Sequence, residues 1–219
     1  MFNILSQLDF TPFLLSFKLA AITTIILFAI GLPLAWYLSQ SKSKLKPILQ
    51  TITALPIVLP PSVLGFYMLI VLSSSNIFGT NLVFSFTGLV IASCFYSLPF
   101  MVQPLQSGFE ALNQNMLEAS YLCGKSRFTT LLKVALPNIK PAVLTSVIIT
   151  FAHTIGEFGV VLMIGGSIEG ETKVASVAIY ELVEVMDYHL AHIYSGIMIF
   201  ISFAILLAVY IINGKLNLK

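Results

Sequence analysis

Between Lys46 and Glu110 the chain carries no Asp, Glu, Lys or Arg. No water-facing domain leaves such a stretch uncharged: soluble domains are about 25% charged, whereas this chain of 219 residues is 9% charged and 58% hydrophobic. A spanning helix takes roughly 20 apolar residues, so the interval has room for two crossings and a turn. The fold class that follows is an all-α integral membrane protein. Length allows one domain, or at most two small ones. The net charge of +2 is not gathered into a basic patch on a solvated surface, which excludes a nucleic-acid partner and leaves membrane lipid as the surrounding medium.

Hydropathy places spans near 13–38, 48–72, 86–105, 142–164 and 193–212. Lys42, Lys44 and Lys46 fall between the first two. Lys125, Arg127, Lys133 and Lys140 fall between the third and fourth, and Lys215 and Lys219 follow the fifth. Basic loops stay in the cytoplasm, so five spans put the N-terminus (1–12) outside and the tail (214–219) inside. The opposite side then holds the uncharged 73–85 connection and an acidic stretch with Glu169, Glu171, Glu181, Glu184 and Asp187. Residues 174–186 would extend only about 20 Å as a helix, against a hydrocarbon core of about 30 Å. An amphipathic helix lying at the outer surface is expected there. The first eleven residues include Asn3, Gln7 and Asp9 and lack a basic start, so no cleavable signal is expected and the first span acts as its own insertion signal.

Inside the spans, few residues carry chemistry. Pro56, Pro60 and Pro61 each remove a backbone donor, so a straight second span is excluded. The broken helix serves either as a kink packed on its neighbours or as a pore lining. Gly65 beside it lets another helix approach closely. His153 and Glu157 are four apart in the fourth span, with Gly156 and Gly159 around them. Four apart on one helix, the two share a face, either along the translocation path or hydrogen-bonded between helices. Cys94 and Cys123 fall in different compartments and suggest neither a disulfide nor catalysis. His189 and His192 lack the third ligand that a metal site needs. No metal site and no catalytic residue are expected.

The segment 109–138 is a charged island between oily stretches. It contains Glu118-Ala119-Ser120, three residues, Gly124, nine residues, then Val134-Ala135-Leu136-Pro137. Residues 119–126 also come close to a P-loop, with Ala119 for its first glycine. A P-loop needs a strand before it and a helix after it, and a segment of about 30 residues is too short to hold a parallel sheet. Nucleotide hydrolysis is therefore expected on another chain.

The spacing resembles the EAA loop of permease subunits in binding-protein-dependent ABC importers, with Ser120 for the second alanine and Val134 for isoleucine. The resemblance implies a type I importer transmembrane domain whose loop forms a cytoplasmic coupling helix between spans 3 and 4. That helix docks on a separate ATPase through Glu118, Ala119, Ser120, Gly124, Val134, Leu136 and Pro137. The run from Gly156 to Gly166, its continuation from Gly170 to Ser176, and residues 55–61 resemble the molybdate permease subgroup, related to the sulfate and thiosulfate permeases. This further implies molybdate and tungstate as cargo, a permease homodimer, two ATPase subunits that hold ATP and Mg, an extracytoplasmic oxyanion-binding protein, and no cofactor on this chain. Sulfate or thiosulfate cargo is one alternative; the other is a secondary transporter driven by an ion gradient.

Overall fold

The computed structural model describes residues 8–73 and 81–217. Parts of the expected outer N-terminus, of the 73–85 connection and of the tail, including Lys219, lie outside the described residues. Every regular element among the described residues is a helix.

The first helix, α1 (Thr11–Gln40), runs 30 residues, about 45 Å at 1.5 Å per residue. Pro12 sits in its first turn, where a missing donor does no harm, and the Asp9 carboxylate accepts from Thr11 N–H at 2.9 Å. Next come α2 (Lys46–Val58) and α3 (Pro61–Leu72), bent by 110° at their junction. Pro60 and Pro61 cause this bend, because the residue before a proline is pushed out of the helical region. Leu59 and Pro60 both precede prolines and both are extended, with ψ of 134° and 136°. Pro56 stays inside α2 without breaking it.

The fourth helix, α4 (Phe86–Glu110), continues through Pro99 and Pro104. Its N-terminus is capped by Ser85 Oγ, which accepts from Gly88 N–H at 3.1 Å. A compact hairpin follows: α5 (Gln114–Leu122), α6 (Arg127–Thr130), a π-helical turn (Leu131–Ala135) and α7 (Leu136–Asn138). The remaining helices are α8 (Lys140–Ile155), α9 (Gly159–Gly165), α10 (Ala175–Glu184) and α11 (Tyr188–Asn217).

Helices α1 and α4 form the spine, with α8 packed on both. Helix α2 leans on α4, α3 on α9, and α11 on α8 and α10. The core divides along the spine. At the end bearing Lys42 and Arg127, Leu27, Leu38, Met101, Leu105, Phe109 and Leu131 pack together. At the other end, Leu19, Leu64, Leu89, Val160, Ile164 and Val177 do the same. The outer face of α11 leaves Phe200 and Tyr210 more than 70% exposed. That exposure costs nothing against lipid tails, which are as apolar as the side chains. Three helices are long and apolar enough to cross a membrane alone, α1, α4 and the Tyr188–Ala208 part of α11. Two bent pairs, α2 with α3 and the α6–α7 region with α8, would make five.

The fourth span, expected as one helix over 142–164, is not continuous. Helix α8 stops at Ile155, and Gly156, Glu157 and Phe158 separate it from α9. Beyond the interruption, α9 packs closely on α3. A Cβ on Gly159 would lie 2.9 Å from Pro61 Cβ, and one on Gly65 would lie 2.9 Å from Met163 Cβ. Over 174–186, a helix covers ten residues, Ala175–Glu184. At about 15 Å it is half the thickness of a hydrocarbon core.

Candidate functional site

The hairpin at 114–138 is built on one buried face. Leu117, Leu131, Ala135 and Ile139 are all at most 6% exposed and pack against Leu38, Leu105 and Phe109 at the foot of the spine. Ser120 Oγ and Thr130 Oγ1, also buried, share a hydrogen bond of 2.9 Å that pins α5 to the start of the π turn. Asn113 caps α5 through Asn115 N–H at 3.0 Å, and Ser126 caps α6 through Thr129 N–H at 3.2 Å. Between the helices, Gly124 has φ +74°, a left-handed conformation that glycine adopts without steric cost.

The opposite face is open. Leu122 is 89% and Phe128 70% exposed, with Tyr121 beside them and Glu118 and Ala119 also on the surface. Sequence spacing groups Leu117 with Tyr121, Leu122 and Phe128 as anchors of one docking face. The fold splits them, turning Leu117 inward as part of the core and leaving the other three on the open face. Val134 and Leu136 are half-buried and Pro137 is exposed, so the second half of the motif belongs to the joint with α8 more than to the open face. The inward set of Leu131, Ala135 and Ile139 went unread, although its spacing of four residues is a helical signal. A cleft of about 630 Å³ lies between the end of α1 and this hairpin, lined among others by Trp36, Tyr37, Lys42, Glu118, Tyr121 and Arg127. Residues 114–122 are helical, without the strand a P-loop requires.

Higher in the bundle, a second group of polar side chains meets between α4 and α8. Ser97 Oγ lies 3.0 Å from His153 Nδ1 and 3.0 Å from Thr154 Oγ1, and the Thr154 hydroxyl donates to the Thr150 carbonyl at 2.9 Å. Phe100 stacks on the His153 ring at 3.9 Å. His153 and Glu157 do not pair and do not share a helical face, because α8 ends between them. Glu157 sits in the α8–α9 break at 3% exposure, and neither carboxylate oxygen has a hydrogen-bond partner among the described residues. Its backbone is fixed instead: the Ser176 hydroxyl donates to the Glu157 carbonyl at 2.6 Å, and Ala175 N–H donates to Ser16 Oγ at 2.9 Å. Helix α10 is thereby tied to both the break and α1. Pro61 meets Gly159 across the α3–α9 contact, and Pro56 lies on α2. Among the described residues no three His, Cys, Asp or Glu side chains converge as a metal site requires.

A helical bundle of this fold has known counterparts. The chain superimposes on a bacterial ABC transporter that imports the acidic polysaccharide alginate, with a TM-score of 0.82, 17% identity, and coverage of 98% of this chain and 82% of that one. The inward-facing MetNI methionine ABC transporter gives a TM-score of 0.75 at 17% identity, covering 93% and 94%. In sequence, the molybdenum transport system permease protein ModB of Azotobacter vinelandii is 44% identical over 94% of this chain and 95% of its own length. A putative molybdenum permease of Bacillus subtilis, YvgM, is 31% identical over 90% of each. A probable sulfate permease, cysT of Nephroselmis olivacea, is 32% identical over 82% of this chain and 66% of its own length. Residues 28–217 match the model of the binding-protein-dependent transport system inner membrane component. With a match over most of its length and a bundle of the same fold, the chain belongs to this family of multi-pass inner membrane transport components.

Proposed function

We propose that this chain is the permease subunit of an ATP-driven importer for molybdate and tungstate. The observation that carries the reading is the 44% identity to ModB across nearly the full length of both chains. In this reading two copies of the chain form the pore, each docked on one of two ATPase subunits that hold ATP and Mg. An extracytoplasmic oxyanion-binding protein delivers cargo to the outer face, which includes the acidic 169–187 stretch. The chain itself hydrolyses nothing and holds no cofactor.

The basic end of the bundle faces the cytoplasm, as charge placement requires. Lys46 reaches Glu110 at 3.1 Å, and Lys42 and Arg127 line one cleft, so the two basic connections lie side by side. The ATPase takes the open face of the hairpin in a groove, with Leu122 and Phe128 as apolar anchors and Glu118, Ala119 and Gly124 at the contact. Ser120, Val134, Leu136 and Pro137 transmit the movement. A rigid helix held in a groove passes rigid-body motion to the elements it is built into, and the Ser120–Thr130 bond with the buried Leu117 face supplies that stiffness. The prolines at 56, 60 and 61 and the interruption around Gly156, Glu157 and Gly159, with His153 above it, give the pore-facing helices places to bend.

Little positive charge is available to the dianion on its way. Lys18 lies in α1 and is engaged over the Phe86 ring at 4.4 Å from its centroid. Tight capture therefore belongs to the binding protein, and the pore makes weak contacts that let the ion leave. Proteoliposomes containing the permease, its ATPase and the binding protein test the reading. Uptake should require internal ATP and favour molybdate over sulfate by about tenfold, a difference of about 1.4 kcal/mol. Replacing Leu122 and Phe128 together by Asp should abolish uptake and co-purification of the ATPase while the permease stays in the membrane. Equal transport of sulfate would overturn the cargo, and transport down an ion gradient without the ATPase would overturn the mechanism.

A further inference from the structure

A cleft of about 260 Å³ opens between α2 and α4, just inside the Lys46–Glu110 ion pair. Gln50 and Thr53 from α2 and Gln103, Gln106 and Ser107 from α4 supply its polar lining. Their register is regular. Gln50 lies four residues after Lys46, and Gln106 four before Glu110, so the two glutamines form the next rung inward on their helices. Thr53 and Gln103 form the rung after that. All five belong to the interval without charge, so no carboxylate lines the cleft.

Two of the side chains are already engaged. Gln106 Nε2 donates to Glu110 Oε1 at 2.9 Å, and the Thr53 hydroxyl donates to the Leu49 carbonyl at 2.8 Å. The Gln50 and Gln103 amides form no hydrogen bond to any described residue. An amide turned toward hydrocarbon without a partner costs several kcal/mol, so at membrane depth such groups face water, cargo or a second chain, and an open cleft between two helices favours the first two. Each primary amide presents two N–H donors and no net charge, and a tetrahedral dianion is a pure acceptor. Neutral donors bind it through charge-assisted hydrogen bonds without the deep well that a buried lysine would create. The volume takes such an ion together with several waters of roughly 30 Å³ each.

We propose that the α2–α4 cleft is a transient contact site for the tetrahedral oxyanion on the cytoplasmic half of the translocation path, with the Gln50, Gln103 and Gln106 amides donating to its oxygens. The site deepens the importer reading above and rests on it. The Lys46–Glu110 pair sets the separation of the two helices at the cytoplasmic mouth. Thr53 and Ser107 keep the wall hydrated.

The test uses the complete complex in proteoliposomes, with molybdate and sulfate each supplied on the loaded binding protein. Gln50→Leu and Gln103→Leu should each lower the maximal uptake rate by about tenfold, the weight of one hydrogen bond to a charged group. Gln103→Glu should raise the substrate concentration for half-maximal uptake, because a carboxylate repels the ion. Gln103→Lys should lower that concentration and slow turnover, because release becomes limiting. Gln103→Asn should restore part of the rate. Assembly of every variant is checked by co-purification with the ATPase. Wild-type uptake by both leucine variants overturns the site, as does a set in which Glu, Lys and Leu at 103 change rate only in step with assembly. A wild-type complex that carries sulfate and rejects molybdate removes the cargo assignment alone, since the same variants read with sulfate still decide the cleft. A complex that moves neither ion overturns both.

Discussion

Ser120 stands where the family pattern has a second alanine, and its surroundings show why a hydroxyl is accommodated. It lies at the buried edge of the hairpin and has Thr130 Oγ1 within 2.9 Å. Ser120→Ala should cost about 1–3 kcal/mol, since it leaves the Thr130 hydroxyl buried and unpaired. Adding Thr130→Val should recover most of that loss, because removing both partners is close to neutral. Thermal unfolding of the four proteins of this cycle in detergent measures the coupling; a double variant that loses the sum of the two single losses would show that the bond contributes nothing. Gly124 is constrained differently. A Cβ there meets nothing within 4 Å, yet φ is +74°, so the constraint comes from the backbone alone. Gly124→Val should cost about 1–2 kcal/mol of left-handed strain and speed proteolysis between α5 and α6, whereas protease resistance equal to wild type would argue against it. His153 and Glu157 show where residue-level reading fails. The i,i+4 rule presumes a continuous helix, and Gly156 ends α8 between them.

At the scale of elements, the prolines and glycines work as pairs across contacts. Pro60 and Pro61 bend the α2–α3 unit by 110°, which places Pro61 against Gly159. Gly159→Val would overfill that contact, and overpacking costs about 1–3 kcal/mol; a lowered melting temperature of the purified permease checks it. Helix α10 is held differently, by Lys173 Nζ, which meets Glu181 Oε2 at 2.6 Å and Glu169 Oε1 at 3.7 Å. The hydrogen bond to Glu181 lifts Lys173 above its ordinary 10.5. Burial pushes Glu181 up, but the hydrogen bonds from Lys173 and Ser167 and the charge of Lys173 together outweigh it and hold the carboxyl below its ordinary 4.5. The Glu181 contribution is thus present above pH 4.5 and fades as pH falls below it. The Lys173 contribution is complete below pH 10.5 and fades as pH rises beyond it. The protection of the α10 amides, taken relative to their intrinsic exchange rate at each pH, should therefore be flat between those limits and fall outside them. Lys173→Met should remove that plateau, and a variant with an unchanged profile would dissociate the ion pair from α10.

For the whole molecule, the decisive variable is which end of the bundle faces the cytoplasm. In cells lacking the ATPase, a membrane-impermeant reagent applied from outside should leave Cys123, exposed on the hairpin, unmodified and should label it after the membrane is opened. Labelling from outside would reverse the bundle and end the coupling proposal. Membrane residence, the helical class, the break at Pro60–Pro61 and a separate helical segment between the third and fourth spans were all legible in the chain. Each depends on local quantities: runs of apolar residues, the sterics of proline and the spacing of a short motif. The outward turn of Leu122 and Phe128 away from Leu117, the interruption of α8 at Gly156, and the meeting of Gln50 with Gln103 and Gln106 were decided only in three dimensions. These depend on which helix packs against which, and residues more than fifty positions apart meet only after α1 and α4 have formed the spine that α2, α8 and the hairpin share. The amino-acid sequence determines that the chain enters the membrane and where its helices can bend; the tertiary packing determines which polar groups are left to face a path, because burial is a property of neighbours rather than of residues.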